Sequence, residues 1–136
     1  MNFRIASMTL AISLVAAAAA RADGPEEAEA LAQVRDGESA TLDLQTIRRY
    51  GDVVGRFEVA LVWTDSTRPM PADYSPRRVR YMANCEEGTM TIAAVGVFDP
   101  AGRVQKTIVV PPRASDPVTP EKGTEAAKWL RRVCMF

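Results

Sequence analysis

The two cysteines are the feature that most constrains how this chain can fold. Cys85 and Cys134 lie 49 positions apart in a chain of 136 residues that contains no histidine. In an exported protein such a pair most simply forms one structural disulfide. A redox-active pair would usually be spaced CxxC, and a zinc site needs four ligands, so both alternatives are weaker. A bridge across a loop of this size would stabilise the fold by roughly 4 kcal/mol.

Residues 1–22 have the layout of a secretory signal peptide. Arg4 precedes the uncharged apolar run Ile5–Ala20, and Ala20 and Ala22 place small residues at positions −3 and −1 of a cleavage site. The alternative is a membrane anchor, but this alanine-rich run is shorter than a span requires. We therefore expect export, no membrane span once the signal is removed, and no lipid-modified cysteine at the new N-terminus.

Alternating side chains predict an antiparallel sheet in most of the remaining chain. The clearest strand covers residues 53–65, where every second side chain is large and apolar. Four further strands are predicted over residues 40–51, 77–87, 88–99 and 103–111. In the first of these four we expect the inward residues to be Leu42, Leu44 and Ile47. In 88–99 the residues expected to share one face are Met90, Ile92, Ala94, Gly96 and Phe98. The pattern indicates an α+β fold with about four to six strands.

Two segments have helical patterns. Residues 23–39 are acidic, with Pro25 at a plausible first helical position, and we expect a flexible or weakly helical lead-in before a single domain at 40–136. At the other end, Thr119 or Thr124 could cap a helix that runs to Cys134. Its apolar stripe consists of Ala126, Trp129, Leu130, Val133 and Cys134. A helix this short must dock on the sheet, and a bridge to Cys85 would hold its last turn.

The sequence offers little for catalysis. Without histidine there is no Ser-His-Asp or Cys-His arrangement, and no glycine-rich phosphate loop is present. We therefore predict no catalytic, cofactor-binding or metal-binding residues and no enzyme activity. A hydrolase would need Asp43, Asp65 and Asp99 to converge, which nothing in the sequence indicates. Without Arg4 and Arg21, the 17 basic residues fall to about 15 against 17 acidic ones, which argues against a nucleic-acid partner.

Five residues are candidates for binding a partner. Met70 and Tyr74 lie in the proline-rich segment 66–76, which we expect to be an exposed loop. Arg78 and Arg80 should share one face of a strand while Arg77 points to the other. These arginines could bind an acidic partner. The alternative, which we favour, is that they protect an edge strand from aggregation.

The order of these segments resembles the surface-adhesin protein E family of small exported Gram-negative bacterial proteins. The matching stretches are "LDLQTIRRYGDVVGRFEVALVW", "ANCEEGTMTIAAVGVFDPAGRV" and "AAKWLRRVC", which together cover about residues 40–134. The resemblance implies an antiparallel sheet with a C-terminal helix bridged to it through Cys85 and Cys134. It also implies a location in the periplasm or at the cell surface, and it leaves a homodimer open.

These observations together predict a non-enzymatic protein that binds a protein partner. By resemblance, the partner would be a host extracellular-matrix or plasma protein, bound through the sheet and exposed loops. The best-known adhesin of this family is anchored by a lipid, whereas we expect no lipid-modified cysteine in this chain. The alternative is therefore a periplasmic structural, stress-related or inhibitor module whose partner is an envelope component.

Overall fold

A five-stranded antiparallel sheet with two helices forms the fold in a computed structural model that describes residues 24–136. The elements are α1 (Pro25–Ala32), β1 (Glu38–Tyr50), β2 (Val54–Trp63), β3 (Arg77–Asn84), β4 (Thr89–Phe98), β5 (Val104–Val109) and α2 (Glu125–Cys134). The predicted α+β class is confirmed. The signal peptide predicted at 1–22 lies outside the described residues. Within residues 24–136, no helix is long and apolar enough to cross a membrane.

The strands form a meander in which each one pairs with its neighbours in the sequence. The order is β1-β2-β3-β4-β5, and every pairing is antiparallel. The strand that carries Arg77, Arg78 and Arg80 is therefore the central one. Our expectation that these arginines protect an edge strand is wrong, because β1 and β5 are the edges.

The core lies on one face of the sheet, and both helices pack there. The largest fully buried side chains are Phe57, Leu61, Val59, Val79 and Val95. Ala28 of α1 and Val133 of α2 belong to the same buried cluster. Burial of these apolar side chains is the main stabilising term of the fold. We call this side of the sheet the core face.

Two of the three register shifts in the sheet correct the faces predicted for β1 and β4. In β1 a shift between Asp43 and Arg48 leaves Leu44 exposed, whereas Ile47 is buried as predicted. In the pairing of β3 with β4, Arg80 is opposite Ala94 and Tyr81 is opposite Ile92, so Ala93 has no partner. A bulge of this kind reverses the alternation of side chains that follows it.

The bulge at Ala93 corrects the predicted face of β4. Met90 and Ile92 pack in or against the core, as expected, but beyond the bulge the core residue is Val95. Ala94, Gly96 and Phe98 consequently point to the opposite side of the sheet.

The acidic lead-in contains a docked helix. The predicted start at Pro25 is confirmed, and α1 packs against β3 and β4 with Ala28 fully buried. The turn after α1 passes Gly37, whose φ of +91° favours glycine. A Cβ at Gly37 would lie only 2.5 Å from Cη2 of Trp63. Of the two alternatives predicted for the lead-in, flexible or weakly helical, residues 24–39 therefore show the helical one, with α1 packed on the sheet.

The C-terminal helix is capped and bridged as the sequence indicates. The hydroxyl of Thr124 accepts a hydrogen bond from the Ala127 N–H at 3.3 Å, so Thr124 and not Thr119 is the cap. Val133 is buried, and Trp129 and Leu130 pack against the core. The predicted disulfide between Cys85 and Cys134 is present, with a Cα–Cα distance of 5.5 Å. Cys85 follows β3 directly, in the turn that leads to β4.

Candidate binding face

The side of the sheet opposite the core face is covered by neither of the two described helices. We call it the open face. Strand register and alternation assign to it Asp43, Arg56, Glu58, Ala60, Val62, Arg78, Arg80, Met82, Ala94, Gly96, Phe98, Thr107 and Val109. These side chains come from all five strands, and the sheet holds them in fixed relative positions.

Four charged side chains form a network at the centre of the open face. Arg80 donates to Oε1 of Glu58 from Nε at 2.9 Å and from Nη2 at 2.7 Å. Arg78 donates from Nη1 to Oε2 of Glu58 at 3.2 Å and to Oδ2 of Asp43 at 3.0 Å. The network is electrically balanced and joins three adjacent strands.

The network also affects the charge of Glu58. Partial burial by itself raises the pKa of this carboxyl, but the hydrogen bonds and charges of Arg80 and Arg78 outweigh it. The pKa of Glu58 therefore lies below its usual value, and the carboxylate stays ionised near neutral pH. The two arginine side chains remain about two-fifths exposed, at 41% and 42%. They are held in place and can still be reached by a partner.

Apolar side chains lie beside this network. Val62 and Val109 are exposed, Phe98 is half-buried, and Phe98 passes close over Gly96. A shallow groove of about 210 Å³ runs between the charged and the apolar residues of β2 to β5. Oriented arginines next to exposed apolar side chains are typical of protein–protein interfaces.

The structure brings only two of the five predicted binding residues together. Arg78 and Arg80 share the open face, as expected. Met70 is exposed in the loop between β2 and β3, also as expected. Arg77 and Tyr74 are buried, so the expectation that they are available to a partner is wrong.

Arg77 points to the core face, where it joins the end of α1 to the start of β1. Its Nε donates to the carbonyl of Leu31 at 2.6 Å, and Nη2 donates to the carbonyl of Gln33 at 2.9 Å. Nη1 and Nη2 also donate to the two carboxylate oxygens of Glu38 at 2.5 and 2.7 Å. The two side chains are 1% and 0% exposed. A side chain with all these partners serves the fold.

Tyr74 is buried although it lies in a loop that contains three prolines. Its ring packs edge-on against Trp63 at 5.6 Å between centroids, and its hydroxyl donates to the carbonyl of Leu61. Burial and the nearby Glu38 raise the pKa of Tyr74 to about 12. The tyrosine therefore anchors the loop to the sheet, while Met70 remains exposed.

Most of the open face was not predicted as a site. The alternation in β2 already placed Glu58 and Val62 on the side opposite the core, so the sequence contained that signal. Phe98 was predicted on the face of Met90 and Ile92 and no face was predicted for Val109, because their positions depend on the bulge at Ala93 and on the pairing of β5 with β4.

The three aspartates considered for hydrolysis each have a local partner. Asp43 pairs with Arg78, and Asp99 pairs with Arg103 in the turn between β4 and β5. Hydrogen bonds from the hydroxyl and the backbone N–H of Thr67 hold the pKa of Asp65 below its usual value. Among the residues described, no group of three or more acidic or cysteine side chains is arranged to hold a metal ion.

Comparison of the chain with protein-family models, curated proteins and solved structures found no match. The resemblance to the surface-adhesin E family therefore stays a prediction from the sequence.

Proposed function

We propose that this chain is an exported, non-enzymatic bacterial protein of the surface-adhesin E type that binds a protein partner through its open face. One observation carries the proposal: both described helices pack on the core face, while the opposite face presents oriented arginines beside exposed apolar side chains. If the open face contacted only water, it could be polar throughout, as is common in antiparallel sheets that pack a core on one face only.

The charged network favours a partner that brings its own carboxylates. Arg78 uses only Nη1 to bind Asp43 and Glu58, and within residues 24–136 its Nη2 donates no hydrogen bond. Because the network fixes the arginines beforehand, a partner would lose less side-chain entropy in binding them. Displacement of water from Val62 and Phe98 would add the apolar part of the binding energy.

Export is supported by the bridge between Cys85 and Cys134, because disulfides persist mainly in oxidising compartments. The signal-like pattern of residues 1–22 points the same way. The partner of an adhesin would be a host matrix or plasma protein, and a second copy of the chain is a further candidate. The alternative function, a periplasmic structural, stress-related or inhibitor module, would use the same face to bind an envelope component.

Protease treatment of intact cells separates these two functions. The adhesin function predicts that the mature chain is degraded while a periplasmic marker survives. If both survive, adhesion is overturned and the periplasmic module is favoured.

Binding to immobilised matrix proteins then tests the open face. The double substitution Arg78→Glu and Arg80→Glu should abolish binding, since it reverses two charges at the centre of the face. The matched control is Arg131→Glu and Arg132→Glu on the exposed side of α2, which should leave binding unchanged. An equal loss of matrix-protein binding in both double variants would contradict a role for the open face.

A further inference from the structure

A second groove lies at one corner of the open face and borders the charged network at Arg80. It has a volume of about 500 Å³ and forms where the bulge of β4 meets the end of β5. We call it the Arg56 groove. Its walls include Arg56, Arg80, Met82, Ala93, Val109 and Pro112. The volume falls in the range of about 300–1,000 Å³ that is typical of small-molecule sites.

Arg56 gives this groove an unbalanced positive charge. Within residues 24–136, no carboxylate forms an ion pair with its guanidinium. Glu58, two residues along the same strand, is already bound by Arg78 and Arg80. The one described contact of the Arg56 guanidinium is with the ring of Tyr50, 5.6 Å from its centroid. A cation–π contact holds the guanidinium in place and leaves its N–H donors available.

The rest of the groove is mainly apolar. Met82 lies directly opposite Arg56 in the β2–β3 register, and Val109 and Pro112 form the far side. Val109 is 72% exposed, so most of its side chain is available to contact an occupant of the groove. Ala93 has no partner on β3, and its carbonyl accepts a hydrogen bond from the Val110 N–H at 2.9 Å, so the bulge and the end of β5 meet in the wall of the groove.

We infer that the Arg56 groove binds a small amphipathic carboxylate, with the carboxylate on Arg56 and an unbranched or aromatic apolar body along Met82 and Val109. Charge complementarity selects the anion, because a guanidinium presents paired donors that match a carboxylate. Burial of the ligand body against the apolar walls supplies the remaining affinity. The inference does not rest on the protein partner proposed above, because it concerns a small ligand at one corner of the face.

The binding test uses octanoate as the probe and follows it by NMR on the isotope-labelled mature protein. The expected result is saturable shifts of the Arg56 Nε–H signal and of backbone amides near Ala93 and Val110. Octanamide keeps the apolar body without the charge, and butyrate keeps the charge with little of the body. Each of these two controls should bind at least about tenfold more weakly, since each lacks one half of the recognition.

Variants then assign the site. Arg56→Met keeps a side chain of similar length and should weaken octanoate binding about tenfold or more by removing the charge-assisted hydrogen bonds. Val109→Asp, at a highly exposed position, should weaken binding by placing a charged group against the apolar body of the ligand without disturbing the core. Arg131→Gln on α2 is the matched control and should bind octanoate like the unmodified protein. Circular dichroism confirms that each variant is folded.

Three outcomes would overturn the inference. The first is octanamide binding as tightly as octanoate, because charge would then play no part. The second is octanoate shifts that map outside the Arg56 groove or do not occur. The third is unchanged octanoate binding by the folded Arg56→Met and Val109→Asp variants. Loss of matrix-protein binding in the Arg78 and Arg80 variant bears only on the protein-partner proposal, so the two proposals can fail separately.

Discussion

The guanidinium of Arg77 connects α1, β1 and β3 inside the protein. It donates to the carbonyls of Leu31 and Gln33 and to both carboxylate oxygens of Glu38. The carbonyls at the end of a helix lack partners within the helix, and Arg77 satisfies them. Because both charged side chains are almost completely buried, loss of either one would leave the other without its opposite charge.

Substitution of Arg77 should therefore cost far more stability than substitution of its neighbour. We expect Arg77→Met to lower the free energy of unfolding by about 3–5 kcal/mol, since it leaves the Glu38 carboxylate buried and unpaired. Arg78→Met, on the open face, should cost no more than about 1 kcal/mol because its ion pairs are partly exposed. Urea unfolding measures the free energy of unfolding of both variants. Similar losses in the two variants would contradict the assigned role of Arg77.

Glu38 should make stability depend on acid pH. Burial raises the pKa of its carboxyl, but the hydrogen bonds from Arg77 and from the Arg35 N–H outweigh this, so the pKa lies below the usual 4.5. A lowered folded-state pKa gives a contribution that is complete above pH 4.5 and is lost as the pH falls through the folded-state value. Below pH 4.5, the unfolding free energy of Glu38→Gln should fall less steeply with decreasing pH than that of the unmodified protein. Identical slopes would contradict this account.

At the scale of elements, α2 depends on contacts at both of its ends. It has only 10 residues, too few to be stable alone in water. Thr124 caps its start, and its end lies close to the sheet, since a Cβ at Gly55 would come within 2.8 Å of the Val133 side chain. The bridge from Cys134 to Cys85 fixes that end.

Removal of the bridge should destabilise the protein and release the end of α2 first. We expect Cys85→Ser with Cys134→Ser to cost about 2–5 kcal/mol. Amide hydrogen exchange should accelerate most in the last turn of α2. Thr124→Ala is the comparison at the other end of the helix and should cost about 1 kcal/mol. Uniform acceleration across the sheet in the serine variant would contradict a local role for the bridge.

The elements show how far the sequence determines the fold. The alternation of side chains along the sequence predicted all five strands, and the helical spacing of apolar residues predicted α2. Both patterns depend only on local geometry. Two features depend on contacts between distant segments: the bulge at Ala93, which reverses the face of Phe98, and the docking of α1 through Arg77. Neither leaves a recognisable signal in its own segment.

The candidate site was predictable to a similar degree. The shared face of Arg78 and Arg80 follows from the alternation of one strand. The burial of Tyr74 does not, because it requires the β2–β3 loop to fold back onto Trp63. Which residues of β1 and β4 lie next to Arg78 and Arg80 depends on how the strands are paired. The alternation of side chains within one strand does not define that register.

At the scale of the whole molecule, the protein has two unlike sides. The described helices and the disulfide lie with the core on one side, while the other side is a sheet surface of charged and apolar residues. Lys106 and Glu27 also join β5 to α1, so the edge of the sheet is fixed to the helical side. The open face therefore stands on five paired strands, which suits a surface that binds with little movement of its backbone.

The most direct test of the open face is site-specific photo-cross-linking in living cells. A photoreactive amino acid is placed at Val62, which is exposed on the open face, or at Arg131, which is exposed on α2. We expect Val62 to give one defined adduct, with a partner protein or a second copy of the chain, and Arg131 to give none. An adduct from Arg131 alone, or equal adducts from both positions, would contradict the claim that the open face is the binding surface.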